Sequence, residues 1–335
     1  MRKIPATIIT GFLGAGKTSL LRHLVANAEG RRIALVINEF GELGIDRELL
    51  LGCGVENCSE DDVVELANGC ICCTVAEDFL PALGKLIDRA EPPEHILIET
   101  SGLALPKPLV QAFSWPEIKA RVTVDGVVAV IDAPAVAAGR FADTTPELVH
   151  DNPLDEVFGD QLSCADLVIL NKTDLADSRT LGIAEREVEA RLRPQAKQVK
   201  AAFGRVAPQV LLGLSAAAED DLASRPSQHD LEGEHDHDDF DSFVVTLGPI
   251  REPAQLLSQL PDIIATHDIL RVKGFLDVTG KDFRQVVQAV GPRIEQYFDR
   301  PWQTDEPRAS RLVVIGRKGI DRAKIAEAIA GAVPA

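Results

Sequence analysis

The sequence predicts an α/β fold, an open and mostly parallel sheet flanked by helices, followed by a small C-terminal α+β domain. Short apolar, β-branched runs alternate with helical patterns through the first two thirds of the chain, as in parallel sheets buried on both faces. Each run ends in polar or glycine-rich sequence, and open α/β sheets bind ligands at the carboxyl ends of their strands. The predicted strands cover residues 4–10, 33–38, 96–99, 126–132, 167–171 and 210–215.

Composition indicates a globular protein of about two domains. The chain has 335 residues, of which 45% are hydrophobic and 26% charged, and a domain typically takes roughly 150 residues. Residues 219–241 are acidic, carry histidines and lack apolar periodicity, which predicts an exposed linker. We therefore expect a first domain over residues 1–218 and a second over 242–335. The second has predicted strands at 243–247, 269–276 and 311–315 and predicted helices at 256–260, 282–290 and 320–332.

Charge and cysteine content exclude several partner classes. With 35 Lys+Arg against 52 Asp+Glu, the formal net charge is −17, which argues against nucleic acid or an anionic membrane as a partner. No uncharged apolar stretch approaches the ~18 residues of a membrane span, so we expect a cytoplasmic protein. Six cysteines are too few for a disulfide scaffold.

Residues 11–18, GFLGAGKT, match G-x-x-x-x-G-K-[ST] between a predicted strand and a predicted helix. The glycines let backbone N–H groups surround a triphosphate, Lys17 reaches the β- and γ-phosphates, and the Thr18 hydroxyl coordinates Mg²⁺. The alternative, a glycine-rich turn with an incidental lysine, fits this context poorly. The predicted phosphate contacts are Gly11, Gly14, Ala15, Gly16, Lys17, Thr18 and Ser19.

The segment NKTD at residues 171–174 has the spacing N-K-x-D and follows a predicted strand. Asp174 can accept hydrogen bonds from both donors of the guanine N1/N2 edge, which adenine does not offer. Asn171 and Lys172 are expected to line the same site, and Ser215 with Ala216 is expected to contact the guanine O6. A polar turn is the alternative for this short motif alone. Together with the phosphate loop, it predicts GTP as the nucleotide.

The segment HILIETSG at residues 95–102 is an apolar strand that ends in Glu99. This carboxylate would hold Mg²⁺ through water, and Gly102 would let the backbone approach the γ-phosphate. An ordinary carboxylate at a strand end is the alternative. Leu103 stands where many GTPases carry a water-positioning Gln, so we expect slow intrinsic hydrolysis. Another residue would orient the water, and the candidates are Glu39, Glu42 and Asp46. The predicted catalytic residues are Lys17, Glu99 and Glu42.

Three cysteines lie within residues 69–74, GCICCT. In extended backbone Cys70 and Cys72 point to the same side, so two thiolates can reach one soft or borderline metal. Cys73 is a third ligand if the backbone turns. A redox pair and inert packing are the alternatives. Cys53 and Cys58 are either a second ligand pair or loop residues, whereas Cys164 lies on a helical stretch and is expected in the core.

Three histidines, His229, His235 and His237, stand among carboxylates in the predicted linker. A solvated acidic loop with chance histidines and a low-affinity metal-collecting arm are both consistent with this composition. Glu42 is a further possible metal ligand.

Together the motifs resemble the CobW-type family of P-loop GTPases. GFLGAGKT, NEFGE, GCICC, ETSG and NKTD occur in that family's order, and RVKGF at residues 271–275 is similar to the hallmark of its C-terminal domain. The resemblance implies a P-loop NTPase fold of the SIMIBI type, GTP hydrolysis, and metal ligation by Cys70, Cys72 and Cys73.

Within the family, GCGVENC followed by ELANGCICCTVAEDF, with the acidic histidine segment, is most similar to members of the aerobic cobalamin pathway. This implies a GTP-dependent metallochaperone that binds Co²⁺ when Mg²⁺–GTP is bound and supplies it to a cobaltochelatase. Zinc is the alternative cargo, because Zn²⁺ outranks Co²⁺ in affinity for most sites. A GTP-switched assembly factor that carries no metal is a further alternative, and a homodimer is plausible for this class.

Overall fold

The computed structural model describes residues 3–28, 30–38, 62–66, 79–139, 153–226, 240–291, 293–302, 306 and 308–333. These residues form two compact units that divide between Pro226 and Phe240. No helix among them is long and apolar enough to cross a membrane.

The described strands of the first unit form a seven-stranded parallel sheet, which confirms the predicted fold class. They are β1 (Ile4–Thr10), β2 (Ile33–Asn38), β3 (Val63–Leu66), β4 (His95–Glu99), β5 (Val122–Asp132), β6 (Leu167–Asn171) and β7 (Lys197–Lys200). Their order is β3-β2-β4-β1-β5-β6-β7. Every residue of β4 and β6 is buried, because helices cover both faces of the sheet.

The helices described in this unit are α1 (Lys17–Ala26), α2 (Leu80–Ile87), α3 (Pro106–Ala112), α4 (Pro116–Lys119), α5 (Ala133–Ala137), α6 (Pro153–Cys164), α7 (Ser178–Glu189) and α8 (Pro208–Leu211). Helix α1 buries Leu20, Leu21 and Leu24, as its apolar spacing predicts. The Asp177 carboxylate caps α7 by accepting the Thr180 N–H at 2.8 Å.

Residues 219–226, expected in the linker, instead pack into the first unit. Glu219 is 4% exposed and accepts hydrogen bonds from the Thr123 hydroxyl at 2.6 Å and the Val124 N–H at 2.9 Å. Arg225 is 1% exposed and pairs with Asp166 at 2.7 Å. Partners for both charges offset part of the desolvation cost of burying them, so an acidic composition alone did not indicate solvent exposure here.

The second unit is an α+β domain, as predicted. An antiparallel sheet of order β11-β10-β9-β12-β8 packs against α9 (Pro253–Thr266) and α10 (Arg322–Gly331), which share its apolar core. The strands are β8 (Phe240–Leu247), β9 (Ile269–Leu276), β10 (Phe283–Val290), β11 (Arg293–Pro301) and β12 (Ser310–Arg317).

Two predicted elements are wrong. Residues 282–290, expected as a helix, form β10, which pairs with β9 and β11 on its two sides. Arg284 to Val287 are all buried, so the sequence lacks the polar–apolar alternation that identifies a strand. Residues 210–215, expected as a strand, contain the end of α8 and a loop.

Candidate nucleotide site

The segment between β1 and α1 turns in a way that only glycine permits at two positions. Gly11 has φ +131°, and a Cβ there would lie 2.1 Å from the Val130 carbonyl oxygen. Gly16 has φ +105°, and its Cβ would lie 2.3 Å from the Asn171 Nδ2. The loop is therefore closely packed against β5 and β6, with its backbone N–H groups preceding the N-terminus of α1, where anions are stabilised.

Lys17, the first residue of α1, holds its ammonium group over this loop. The Nζ atom donates to the Gly11 carbonyl at 2.7 Å and lies 3.3 Å from the Phe12 carbonyl, and Lys17 is only 5% exposed. The positive charge and the helix N-terminus together form an anion cradle. The other predicted phosphate contacts, Gly14, Ala15 and Ser19, belong to the same loop and first helical turn.

Thr18 and Glu99 lie together at the base of the loop. The Thr18 hydroxyl donates to Glu99 Oε1 at 3.2 Å, and Glu99 is 4% exposed at the end of β4. A hydroxyl beside a buried carboxylate supplies the hard oxygen atoms that Mg²⁺ prefers. These two residues therefore fit Mg²⁺, which would neutralise phosphate charge when bound.

Gly102 brings the segment after β4 against the phosphate loop. A Cβ on Gly102 would lie 2.7 Å from the Leu13 N, so a side chain there would displace the loop. Gln161 on α6, which the sequence analysis did not identify, is fully buried. Its Nε2 lies 3.4 Å from the Gly102 carbonyl oxygen and 3.3 Å from that of Ala104. A glutamine on a mostly apolar helix face is the sequence signal for such a contact.

Asn171, at the end of β6, joins the N-K-x-D motif to the phosphate loop. Its Nδ2 donates to the Ala15 carbonyl at 2.8 Å, and its Oδ1 accepts the Gly204 N–H at 2.9 Å. Lys172 has a left-handed backbone, and its Nζ lies 3.3 Å from Asp132 Oδ2. Asp174 is exposed in the turn Thr173–Leu175, at the carboxyl edge of the sheet, where a base can reach it.

Ser215 and Ala216 do not join this site, which corrects the prediction for them. The Ser215 N–H donates to Asp125 Oδ1 at 2.9 Å, and the Ala216 N–H donates to the Asp125 carbonyl at 2.8 Å. Asp125 lies near the start of β5, seven residues and roughly 20 Å from Asp132 at the other end. The 213–217 loop therefore lies at the amino edge of the sheet, opposite the phosphate loop.

The segment beside Asp174 is instead the loop after β7. Both the N–H and the hydroxyl of Thr173 donate to the Ala201 carbonyl, at 3.1 and 2.9 Å. Residues 201–204 thus occupy the place expected for Ser215 and Ala216. The short polar strand Lys197–Lys200 gave no apolar run to mark it, although Gly204, four residues later, is a turn signal.

His95, to which the sequence analysis assigned no role, is buried at the start of β4. Its Nε2 lies 2.8 Å from the Thr7 hydroxyl. Burial lowers the pKa of His95 from 6.5 to about 4, a shift that Asp125 opposes and Arg31 reinforces. The ring is therefore neutral at physiological pH and structural in its contacts. It lines a cavity of about 880 Å³ at the amino edge, together with Lys3, Arg31, Asp125 and Ser215.

The predicted metal and water-orienting residues lie outside the described residues: Glu39, Glu42, Asp46, Cys53, Cys58, Cys70, Cys72, Cys73, His229, His235 and His237. In the part of the chain that is described, no three His, Cys, Asp or Glu side chains form a metal-binding group. Cys164 is buried, and burial raises the pKa of its thiol to about 11, which confirms the expected core position.

The described chain shows where the strand that precedes the cysteine motif in the sequence ends. Strand β3 ends at Leu66, which pairs in parallel with Asn38 at the end of β2. Both strands therefore end at the edge where the phosphate loop and Glu99 lie, and Cys70 follows Leu66 by four residues.

Comparison with known proteins identifies both units. The family model for the CobW/HypB/UreG nucleotide-binding domain matches residues 5–200, and the model for the cobalamin synthesis protein cobW C-terminal domain matches residues 240–333. A protein named zinc chaperone CobW from Sinorhizobium sp is 54% identical, covering 99% of this chain and 98% of the relative. One of the same name from Pseudomonas aeruginosa is 52% identical, with 97% and 90% covered. Zinc chaperone YjiA of Escherichia coli is 31% identical, with 94% and 95% covered. The chain belongs to the CobW/HypB/UreG family of P-loop GTPases.

Proposed function

We propose that this GTPase is a metallochaperone that binds zinc through Cys70, Cys72 and Cys73 when Mg²⁺–GTP occupies the phosphate loop. The proposal rests on the position of the end of β3, which lies at the carboxyl edge of the sheet, the edge that also carries the phosphate loop. It supports a metal motif tethered close to the γ-phosphate position.

Chain geometry limits how far the motif lies from the nucleotide. Strand β3 is three positions from β1 in the sheet, or about 14 Å at the usual strand spacing. Four residues from Leu66 to Cys70 add at most about 14 Å of extended chain. A segment tethered this close can change its order when the triphosphate binds, as GTPase switch segments do.

Thermodynamic linkage gives this proposal a second requirement. If Mg²⁺–GTP raises the affinity of the cysteines for metal, the metal must raise the affinity for GTP by the same factor. Hydrolysis to GDP would then weaken the metal site and favour transfer to a client protein.

Zinc is the proposed cargo because two observations favour it over cobalt. The relatives that cover nearly the whole chain are named zinc chaperones, and Zn²⁺ generally binds nitrogen, oxygen and sulfur ligands more tightly than Co²⁺. Cobalt delivered to a cobaltochelatase is the second candidate. It rests on the similarity of the cysteine segments to members of the cobalamin pathway, and it would require the cell to control which metal is available.

Anaerobic titration of the full chain with Co²⁺, used as a spectroscopic probe, tests whether Mg²⁺–GTP controls metal binding by the cysteines, which we call gating. The titration is run with Mg²⁺ and a non-hydrolysable GTP analogue, with Mg²⁺–GDP, and without nucleotide. We expect thiolate charge-transfer bands at one equivalent with the GTP analogue alone, lost on Cys72→Ser but kept in the Cys164→Ala control. Competition with Zn²⁺ then gives the affinity ratio of the two metals.

Equal spectra in all three nucleotide states would overturn the gating. Absence of thiolate bands together with intact GTP binding would favour the assembly factor that carries no metal. A Co²⁺ affinity equal to or above that of Zn²⁺ would favour cobalt over zinc as the cargo. The cobaltochelatase client and the homodimer stay predictions, which pull-down with purified chelatase and sedimentation with each nucleotide would test.

A further inference from the structure

We propose that Phe203 provides the surface on which the guanine base stacks, so that Asp174 selects the base by its edge and Phe203 binds it by its face. The inference rests on the proposed function only in taking a guanine nucleotide as the ligand.

Phe203 is exposed in a conformation that an aromatic residue rarely adopts. Its side chain is 65% exposed, whereas the large apolar side chains of the first unit are mostly buried. Its φ of +55° lies in the left-handed region, where a bulky side chain is an outlier. Such strain concentrates at ligand-binding positions, where the surrounding structure enforces it.

The next residue shows how this conformation is enforced. Gly204 also has a positive φ, of +66°, and a Cβ there would lie 2.8 Å from the Leu20 N of α1. Its N–H donates to Asn171 Oδ1 at 2.9 Å. The backbone at 204 is thus packed on α1 and bonded to the base-recognition motif, so the loop cannot relax to bury the Phe203 ring.

The same loop is bonded to the turn that carries Asp174. Thr173 donates both its N–H and its hydroxyl to the Ala201 carbonyl. Asp174 directly follows Thr173, and Phe203 lies two residues after Ala201. This places a carboxylate and an exposed aromatic ring on adjoining loops at the carboxyl edge of the sheet.

The two groups supply different parts of base recognition. A carboxylate distinguishes guanine from adenine through the N1 and N2 donors, but in water the net gain from such exposed bonds is small. Stacking on an aromatic face adds affinity for any base, because every base has a π-face. Arg205 lies with its guanidinium 5.7 Å from the Phe203 ring centroid, within cation–π range, and so steadies the ring.

The test measures GTP and inosine triphosphate (ITP) affinities of the full chain and three variants. ITP lacks the 2-amino group, so Asp174→Asn is expected to reduce the preference for GTP over ITP. Phe203→Ala is expected to weaken GTP and ITP equally, by about 5- to 150-fold, leaving that preference unchanged. Val210→Ala, which truncates another exposed apolar residue of this unit, is the matched control and should change neither affinity.

Phe203→Trp provides a readout that does not depend on the alanine variant folding. We expect it to keep wild-type affinity and to show indole quenching on binding of GTP, with protection from acrylamide. GTP and ITP affinities within twofold of wild type in folded Phe203→Ala, or an indole that GTP neither quenches nor protects, would overturn the proposal and indicate a partner contact for the ring. Failure of the wild-type chain to prefer GTP over ATP would instead overturn the guanine site itself, whatever Phe203 does.

Discussion

The side-chain amide of Asn171 donates a hydrogen bond to the Ala15 carbonyl oxygen at 2.8 Å, across 156 residues of sequence. Because its other amide atom accepts the Gly204 N–H, the orientation of the amide is fixed by its two partners. One side chain therefore connects the loop for the phosphates with the loop after β7. The two segments that we expect to bind opposite ends of the nucleotide are consequently joined through one buried side chain.

Replacing this amide should weaken both ends of the site together. In Asn171→Ala, the buried Ala15 carbonyl and Gly204 N–H each lose a partner, at about 1–3 kcal/mol per group. We expect urea unfolding to show a loss of about 2–6 kcal/mol, and calorimetry to show weaker GTP and GDP binding by a similar factor. Asn27→Ala, an exposed asparagine at the end of α1, is the control. Unchanged nucleotide affinity in Asn171→Ala would contradict this account.

Glu99 should affect the binding of Mg²⁺ more than the binding of the nucleotide itself. Glu99→Gln keeps the size and the Thr18 contact but removes the charge that would orient water around the ion. We expect the Mg²⁺ requirement for GTP binding to rise by about 10- to 100-fold, whereas GTP affinity without Mg²⁺ stays equal or improves because repulsion of the phosphates falls. Titrations with and without Mg²⁺ check this, with the exposed Glu94→Gln as control. An equal loss under both conditions would point to a structural role.

The phosphate loop should not tolerate a side chain at its first glycine. In Gly11→Ala the new Cβ would lie 2.1 Å from the Val130 carbonyl oxygen at φ +131°. We expect a loss of stability of about 2–5 kcal/mol and no measurable GTP binding. Gly30→Ala isolates the backbone strain, because Gly30 has φ +80° with no atom within 4 Å of a Cβ. It should lose only about 1 kcal/mol and keep GTP binding; equal effects of the two substitutions would show that packing against Val130 is unimportant.

His95 should make the first unit sensitive to mild acid. Its pKa is about 4 in the folded chain against 6.5 as the reference value, so between these pH values the unfolded chain binds more protons. Stability therefore falls as pH drops through this window, by about 2 kcal/mol from pH 8 to pH 5 for this group alone. Urea unfolding at a series of pH values measures the loss.

The comparison variant for this prediction is His95→Gln, which keeps a hydrogen-bonding group near Thr7 but does not titrate. Carboxylates that do not interact with His95 affect both proteins alike, so the difference between the two curves gives the contribution of His95 together with its interaction with Asp125. Wild-type and His95→Gln curves that stay parallel from pH 8 to pH 5 would rule out this contribution.

Elements whose chemistry lies within a few consecutive residues were predictable from the sequence. The phosphate loop, Glu99 and Asn171 stand where their motifs placed them, because backbone turns and ligand atoms are set by local residue types. The central strands β4 and β6 were predictable because both faces are buried and the sequence is continuously apolar.

Three of the four edge strands of the two described sheets were not predicted, whereas the fourth, β8, was predicted at residues 243–247 from its apolar run. Strands β3, β7 and β11 lie at sheet edges, where pairing is one-sided and apolar runs are short or absent. The apolar run at 210–215 suggested that it forms the last strand of the first sheet. Its leucines instead cover the amino edge of the sheet, and the last strand is the polar β7. The role expected of Ser215 was misplaced for this reason, since it depended on which strand came last.

The packing of residues 219–226 determines where the chain can be divided. The family model for the nucleotide-binding domain ends at residue 200, yet Glu219 and Arg225 are buried against β5 and the start of β6. Ser163 also donates to the Pro226 carbonyl at 2.8 Å. A truncation at 200 or 218 would strip these partners from Asp166 and Thr123 and expose apolar surface beneath them. An isolated first unit that keeps its native stability must therefore retain the chain through Pro226.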